Sequence, residues 1–298
     1  EGKTSVNYNM NIGVTARGRR GIEMMNSAEK LELERLIQNP ETPGYRYSAD
    51  YYNRFHSNDP NLQNLIAQGA MKLDSMRNIN TDWFDELLHT SLYQKHNLSL
   101  KGGSDATSYY VSANYTQQGG RIPGNDKQRM SLRLNLDQRL GKIGYLMMSV
   151  NGGYSKTNTP NGTTNDPASL VYDLNPYEQK FGELWSNPGR TYKDLMNQFS
   201  EVGTDTDAGA TASITITPVQ GLDVAAVGGV YFMLAENRQF TPSTAYSETH
   251  SGIPEEERGI YSKSKLSTIT LSSNVRITYS KTFNDKHDFT IGANTDYY

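Results

Sequence analysis

A chain of 298 residues with 29 Lys+Arg against 32 Asp+Glu has a formal charge of −3, which leaves no basic field to draw nucleic acid. It has no cysteine, so disulfides and thiolate metal sites are excluded. No run approaches the ~18 apolar residues of a transmembrane helix.

Tyrosine is the unusual count, 20 against 8 Phe and 2 Trp. Its ring suits an interface with one apolar and one wet side. The chain opens without an initiator methionine or a signal peptide. It starts and stops in strand-like sequence, which reads as an internal piece of a longer protein.

The first element is a strand. From Lys3 to Ala16, Val6, Tyr8, Met10, Ile12 and Val14 fall on one face, and Asn7, Asn9, Asn11, Gly13 and Thr15 on the other. The same period of two recurs over Gln94–Lys101, Ser108–Gln118, Gln128–Leu140, Lys142–Lys156, Ala208–Thr217, Gly221–Glu236, Lys265–Lys281 and His287–Tyr298. The fourth strand sets Met130, Leu132, Leu134 and Leu136 against Arg129, Ser131, Arg133, Asn135 and Asp137.

That makes nine strands, several longer than the ~5–6 residues usual in soluble sheets and near the ~9–11 of a tilted membrane strand. Strand pattern alone leaves two architectures open, a membrane barrel and a large soluble β-sandwich or β-helix.

The connections separate them. Tight ones at 102–106, 141–142, 218–221 and 284–286 alternate strictly with long ones at 17–93, 119–127, 157–207 and 237–264. Outer-membrane barrels place short turns at one end and long external loops at the other. The fold class read here is therefore all-β, a transmembrane antiparallel β-barrel. Residues 1–298 would form a partial wall of about nine strands, and the long loops 17–93, 157–207 and 237–264 would be external and partly helical.

Within the first loop, Ser27–Gln38 reads as a helix with Ser27 as N-cap and Lys30 where a capping box wants Glu; Pro40 and Pro43 end it. Asn61–Met76 reads as a second helix with an internal Gly69, and Ala168–Leu174 and Lys193–Phe199 as helical turns. The acidic run at Glu255–Glu257 reads as a solvated loop.

No catalytic constellation emerges. The five histidines show no ligand spacing, and there is no nucleophile elbow or phosphate-cradling loop. Asp205-Thr206-Asp207 starts like a calcium loop, but the twelfth position is Ile216 rather than Glu. The chain reads as a non-enzyme without a cofactor or metal.

One segment is distinctive. Asn80-Thr81-Asp82-Trp83 precedes His96-Asn97-Leu98-Ser99 with Gly102-Gly103, and then a Tyr-rich strand from Tyr109 to Tyr115 followed by Gly119-Gly120. This order resembles the SusC/RagA family of TonB-linked outer-membrane proteins of Bacteroidetes. Met25–Leu33 and Lys286–Phe289 resemble further family segments.

The resemblance implies import of oligosaccharides or peptides across the outer membrane. It implies a SusD-like lipoprotein lid, coupling to TonB–ExbB–ExbD through a plug upstream of Glu1, and contact with outer-membrane lipid. It implies a full barrel of ~22 strands, of which nine with two open edges would not insert alone; the charge balance argues for no nucleic acid as a partner.

Asn80, Thr81, Asp82 and Trp83 read as a structural marker, with Asp82 capping a Trp-containing turn. Candidate ligand contacts are Asn7, Asn9, Asn11, Arg129 and Arg133 on the lumen face, and Tyr172, Tyr177 and Trp185 in a loop. Tyr45, Tyr47, Tyr51 and Tyr52 are further loop aromatics. Arg grips carboxylates in a fork, and aromatic rings stack on sugars. A siderophore- or cobalamin-type receptor and a soluble glycan-binding module remain as alternatives.

Overall fold

The computed structural model describes residues 2–17, 21–160, 171–195, 199–284 and 286–297. Nine strands form one sheet in chain order, every neighbouring pair antiparallel. They are β1 Ser5–Thr15, β2 Ser91–Gly103, β3 Thr107–Gly119, β4 Asp126–Leu140, β5 Gly144–Pro160, β6 Ser200–Val219, β7 Leu222–Thr241, β8 Ile260–Phe283 and β9 His287–Tyr297. β1 and β9 do not pair with each other, so the sheet is an open arc of a barrel.

All nine strands fall where the periodicity puts them. Several run further at the long-connection end; β6 begins at Ser200 rather than at 208, and β8 at Ile260 rather than at 265. The connections become 104–106, 141–143, 220–221 and 284–286 at one end, and 16–90, 120–125, 161–199 and 242–259 at the other. The second of the long ones is thus shorter than expected. In the last tight turn Asn284 takes a left-handed φ of 53°, which asparagine tolerates.

Because a strand's side chains alternate, register decides which residues share a face. One row runs Val6, Leu100, Val111, Leu134, Val150, Ala210, Val230 and Leu271 across β1–β8. The next runs Tyr8, Leu98, Ala113, Leu132, Gly152, Ala208, Phe232 and Ile269. The apolar faces of eight separate strands therefore merge into one apolar surface.

That surface is open, with Val6 at 64%, Leu132 at 64% and Ile269 at 67% exposure. On the opposite face even the small serines Ser112 and Ser155 are buried. The polar face is thus the enclosed one and the apolar face the outward one. This is the arrangement of a membrane barrel wall, where lipid covers what water would not.

Among its described residues the connection 16–90 folds into five helices: α1 Ser27–Ile37, α2 Pro43–Arg46, α3 Ala49–Phe55, α4 Leu62–Arg77 and α5 Trp83–Leu87. The cap of α1 is one residue earlier than the sequence suggested. Asn26 Oδ1 accepts from the Glu29 backbone N–H at 3.0 Å, and Glu29 Oε2 accepts from the Asn26 N–H at 3.0 Å, a complete capping box. Ser27 is instead buried, its hydroxyl donating to the Ile79 carbonyl. The helix ends on Gln38 in a left-handed conformation, and Pro43 opens α2 rather than only stopping α1.

α4 matches the second expected helix and turns Gly69, Leu73 and Met76 inward. A Cβ on Gly69 would lie 2.4 Å from the Tyr47 carbonyl, so the glycine lets α4 cross that backbone. Of the two expected helical turns, 171–173 and Tyr192–Leu195 are helical, and 168–170 and 196–198 lie outside the described residues. The acidic Glu255–Glu257 forms one exposed 3-10 turn.

Candidate functional site: the polar wall and the loop cap

The polar face brings together every strand candidate. Asn7 shares a row with Ser99, Ser112, Arg133 and Asn151. Asn9 shares the next with Asn97, Asn114, Ser131, Gly153 and Asp207. Asn11 shares the third with Lys95, Thr116, Arg129, Ser155 and Asp205. At ~4.8 Å per strand, each asparagine lies about 14 Å from the arginine in its row or in the row beside it.

Asp205 and Asp207 belong to this wall and were assigned to a loop from sequence. Arg129 Nη2 sits 3.1 Å from Asp207 Oδ1, and the Ser155 hydroxyl donates to Asp205 Oδ2 at 3.0 Å. The signal was there, as two aspartates at a spacing of two run straight into the strand pattern that begins at Ala208. The wall thus alternates amide, cation and carboxylate, a lining for polar ligands rather than a catalytic array. Among the described residues no three His, Asp or Glu side chains are grouped to hold a metal ion.

Above the long-connection end sits a cap with two apolar clusters. In one, Leu31 of α1 and Leu73 and Met76 of α4 enclose Tyr177, with Tyr47 and Trp185 against them. In the other, Trp83, Leu87, Leu88 and Val171 pack with Phe84, Ile122, Leu174 and Tyr192. The clusters therefore join the first, second and third long connections. The fourth is drawn in where the Arg190 guanidinium lies 4.5 Å from the centre of the Tyr246 ring.

Asn80–Trp83 holds these pieces together. Asn80 Oδ1 accepts the Ser27 N–H at 2.8 Å, fixing the start of α1. The Thr81 N–H donates to the Pro176 carbonyl at 2.8 Å, and its hydroxyl to the Glu178 carbonyl at 2.6 Å. Asp82 caps α5 by accepting the Phe84 and Asp85 N–H groups. The indole Nε1 of Trp83 donates to the Asn175 carbonyl at 2.9 Å, and its ring centre lies 5.4 Å from that of Tyr192. All four contact a segment remote in sequence or cap a helix.

The loop candidates divide. Tyr172 is 55% exposed and lines a cleft of about 240 Å³ with Met24, Met25, Trp83, Phe84 and Leu174. Tyr177 is fully buried, its hydroxyl donating to Glu34 Oε1 at 2.8 Å, so it packs as a core residue of the cap. Trp185 is half-buried against the same core. Tyr45 is buried as well, while Tyr47, Tyr51 and Tyr52 are half-buried.

Two carboxylates lie in this core. Glu34 accepts from Tyr177 and from the Gly44 N–H at 2.9 Å. Glu178 accepts the Trp185 and Ser186 N–H groups at 2.5 and 2.9 Å. Burial pushes the Glu178 carboxyl above its ordinary range, although these donors pull the other way. Burial, and then the neighbouring Glu34, push the Tyr177 hydroxyl far above the usual tyrosine range.

No family model matches the chain. It is similar to TonB-dependent receptor P26 of Formosa agariphila, 32% identical over 123 residues that cover 37% of this chain and 12% of that protein. It is also similar to TonB-dependent receptor P3 of the same organism, 36% identical over 76 residues covering 26% and 8%. TonB-dependent receptor SusC of Bacteroides thetaiotaomicron is 28% identical over 120 residues covering 38% and 12%.

Among solved structures, the RagAB peptide importer in its closed-closed and open-open states matches with a TM-score of 0.67 at 18% and 19% identity. Both matches cover 99% of this chain and 36% of the other. The matched stretches are thus about a tenth of the curated relatives and about a third of the importer chain. The sheet has that importer's fold, and in sequence the chain is similar to parts of SusC-type TonB-dependent receptors.

Proposed function

We propose that the chain forms part of the wall and external cap of an importer for oligosaccharides or peptides in the outer membrane of a Gram-negative, Bacteroidetes-type bacterium. Coupling would come from TonB–ExbB–ExbD, and a SusD-like surface lipoprotein would close the barrel from outside. The carrying observation is the single registered sheet, apolar on its open face and lined with Asn, Arg and Asp on its enclosed face, with every long connection at one end. The likeness to SusC and to a peptide importer supports this reading over a soluble glycan-binding module. The polar wall suits ligands rich in hydroxyl, amide or charged groups.

Fractionation of cells expressing the full-length protein tests it. The protein should stay in the membrane through carbonate and high salt and need detergent for release. Release by either wash ends the reading. A strain lacking the gene should then lose uptake of a glycan or peptide ligand, and the lid lipoprotein should co-purify.

A further inference from the structure

The outward face changes character abruptly toward the long-connection end of β5–β8. The last apolar row there is Gly152, Ala208, Phe232 and Ile269, followed by the mixed row Tyr154, Thr206, Leu234 and Ser267. The next is Lys156, Thr204, Glu236 and Lys265, and the one after it Asn158, Val202, Arg238 and Lys263. Tyr261 and Phe240 pair beyond them. Four cations thus stand against one carboxylate, directly past the apolar band and on its side of the sheet.

The carboxylate organises the cations rather than cancelling them. Glu236 is 15% exposed and reaches Arg238 at 2.5 Å and Lys263 at 3.0 Å, while those two side chains remain 56% and 44% exposed. Lys156 and Lys265 are exposed at either side, three strands apart, so the patch is about 14 Å wide. The same two rows on β1–β4 hold Ile12, Gln94, Gln117 and Gln128, then Val14, Leu92, Gly119 and Asp126, with no cation. The patch is therefore local and not a general property of the rim.

We infer that Lys156, Arg238, Lys263 and Lys265 form a docking surface for the phosphate groups of an outer-leaflet glycolipid. The inference rests on the membrane-barrel reading above. The occupant follows from charge and position. Acyl chains would cover Leu234 and Ile269 below, tyrosines mark the interface, and phosphates would meet the cations above. Arg238, held in place by Glu236, offers a fork for a phosphate, and the lysines act as point charges that reach it.

The test uses the full-length protein purified in mild detergent and titrated with phosphorylated lipid A, with binding read by native mass spectrometry. Dephosphorylated lipid A is the comparison. Phosphorylated lipid A should bind in a salt-sensitive way and the dephosphorylated form much more weakly. Replacing all four cations by Gln should weaken binding by about fivefold for each charge removed. Lys281→Gln, at the opposite end of the same face, should leave it unchanged.

Equal binding of both lipids, or an equal effect of Lys281→Gln, overturns the inference. Heat-modifiable migration shows that each variant is folded. Carbonate extraction separates the two levels: a protein that stays in the membrane but ignores the four substitutions refutes the docking surface alone.

Discussion

Arg129 and Asp207 meet across a whole strand. They stand on β4 and β6, and the strand between them offers Gly153 beneath their 3.1 Å ion pair. A Cβ on Gly153 would lie 2.7 Å from Asp207 Oδ1 and 2.9 Å from Arg129 Nη2. The obstructed atoms are ends of flexible side chains, so Gly153→Ala should part the pair and leave the sheet intact. A half-exposed pair of this kind couples by about 0.5–1 kcal/mol. A double-mutant cycle of Arg129→Ala and Asp207→Ala, read by thermal unfolding of the full-length protein in detergent, should give that coupling. In the Gly153→Ala background the coupling should vanish; if it persists, the glycine has another role.

The cap should fail at Trp83 before the wall does. Trp83→Phe keeps most of the ring but strands the Asn175 carbonyl, at a cost of about 1–2 kcal/mol. Trp83→Ala also empties the cluster with Leu87, Leu88 and Val171 and should cost about 3–5 kcal/mol. Asp82→Ala should cost about 1 kcal/mol through the lost cap of α5. Limited proteolysis of the full-length protein should show cuts within 16–90 and 171–195 increasing from Asp82→Ala through Trp83→Phe to Trp83→Ala, with the strands still protected. Cutting in the strands at the same protease dose would mean the cap and wall do not separate.

The wall was legible in the sequence because lipid on one side and water on the other imprint a period of two. Where the strands continue past the lipid, the imprint fades. On β6 Val202 is the one apolar side chain from Thr206 back to Ser200, too little to show a period of two, so the pattern begins at 208. Asp205 and Asp207 were lost with it. The cap hid differently. Tyr177 carries no local mark of burial, since its partners Leu31, Leu73 and Met76 lie about 100 residues or more away in sequence. The cap of α1 was displaced by one residue because Asn26 and Ser27 are both good caps, and only the remote Asn80 decides which faces inward.

Adjacent residues on β4 should answer oppositely to charge. Leu134 lies on the outward apolar row and Arg133 on the enclosed face. Leu134→Arg should cost about 2–4 kcal/mol if that row lies near the bilayer midplane. Arg133→Leu should leave folding close to unchanged and alter ligand uptake instead. Heat-modifiable folding into lipid vesicles, followed for both variants, checks the assignment of faces. If Arg133→Leu impairs folding more than Leu134→Arg does, the outward and enclosed faces have been exchanged.

The cap should also loosen as pH rises. The Glu178 carboxyl has a raised pKa in the folded cap, so the folded form holds the proton more tightly than an opened one. Its stabilising contribution is therefore complete below the ordinary carboxylate range and is lost as pH rises through the raised value. Above it, a charge must be kept in the buried core beside Glu34, which burial opposes more strongly than the Ser186 hydroxyl and the Trp185 and Ser186 N–H groups favour it. Hydrogen exchange of the cap amides, corrected for the intrinsic rate, should show less protection at about pH 8 than at about pH 5. Glu178→Gln should flatten that difference, because the amide cannot ionise. A pH dependence that survives Glu178→Gln would assign the effect to another group.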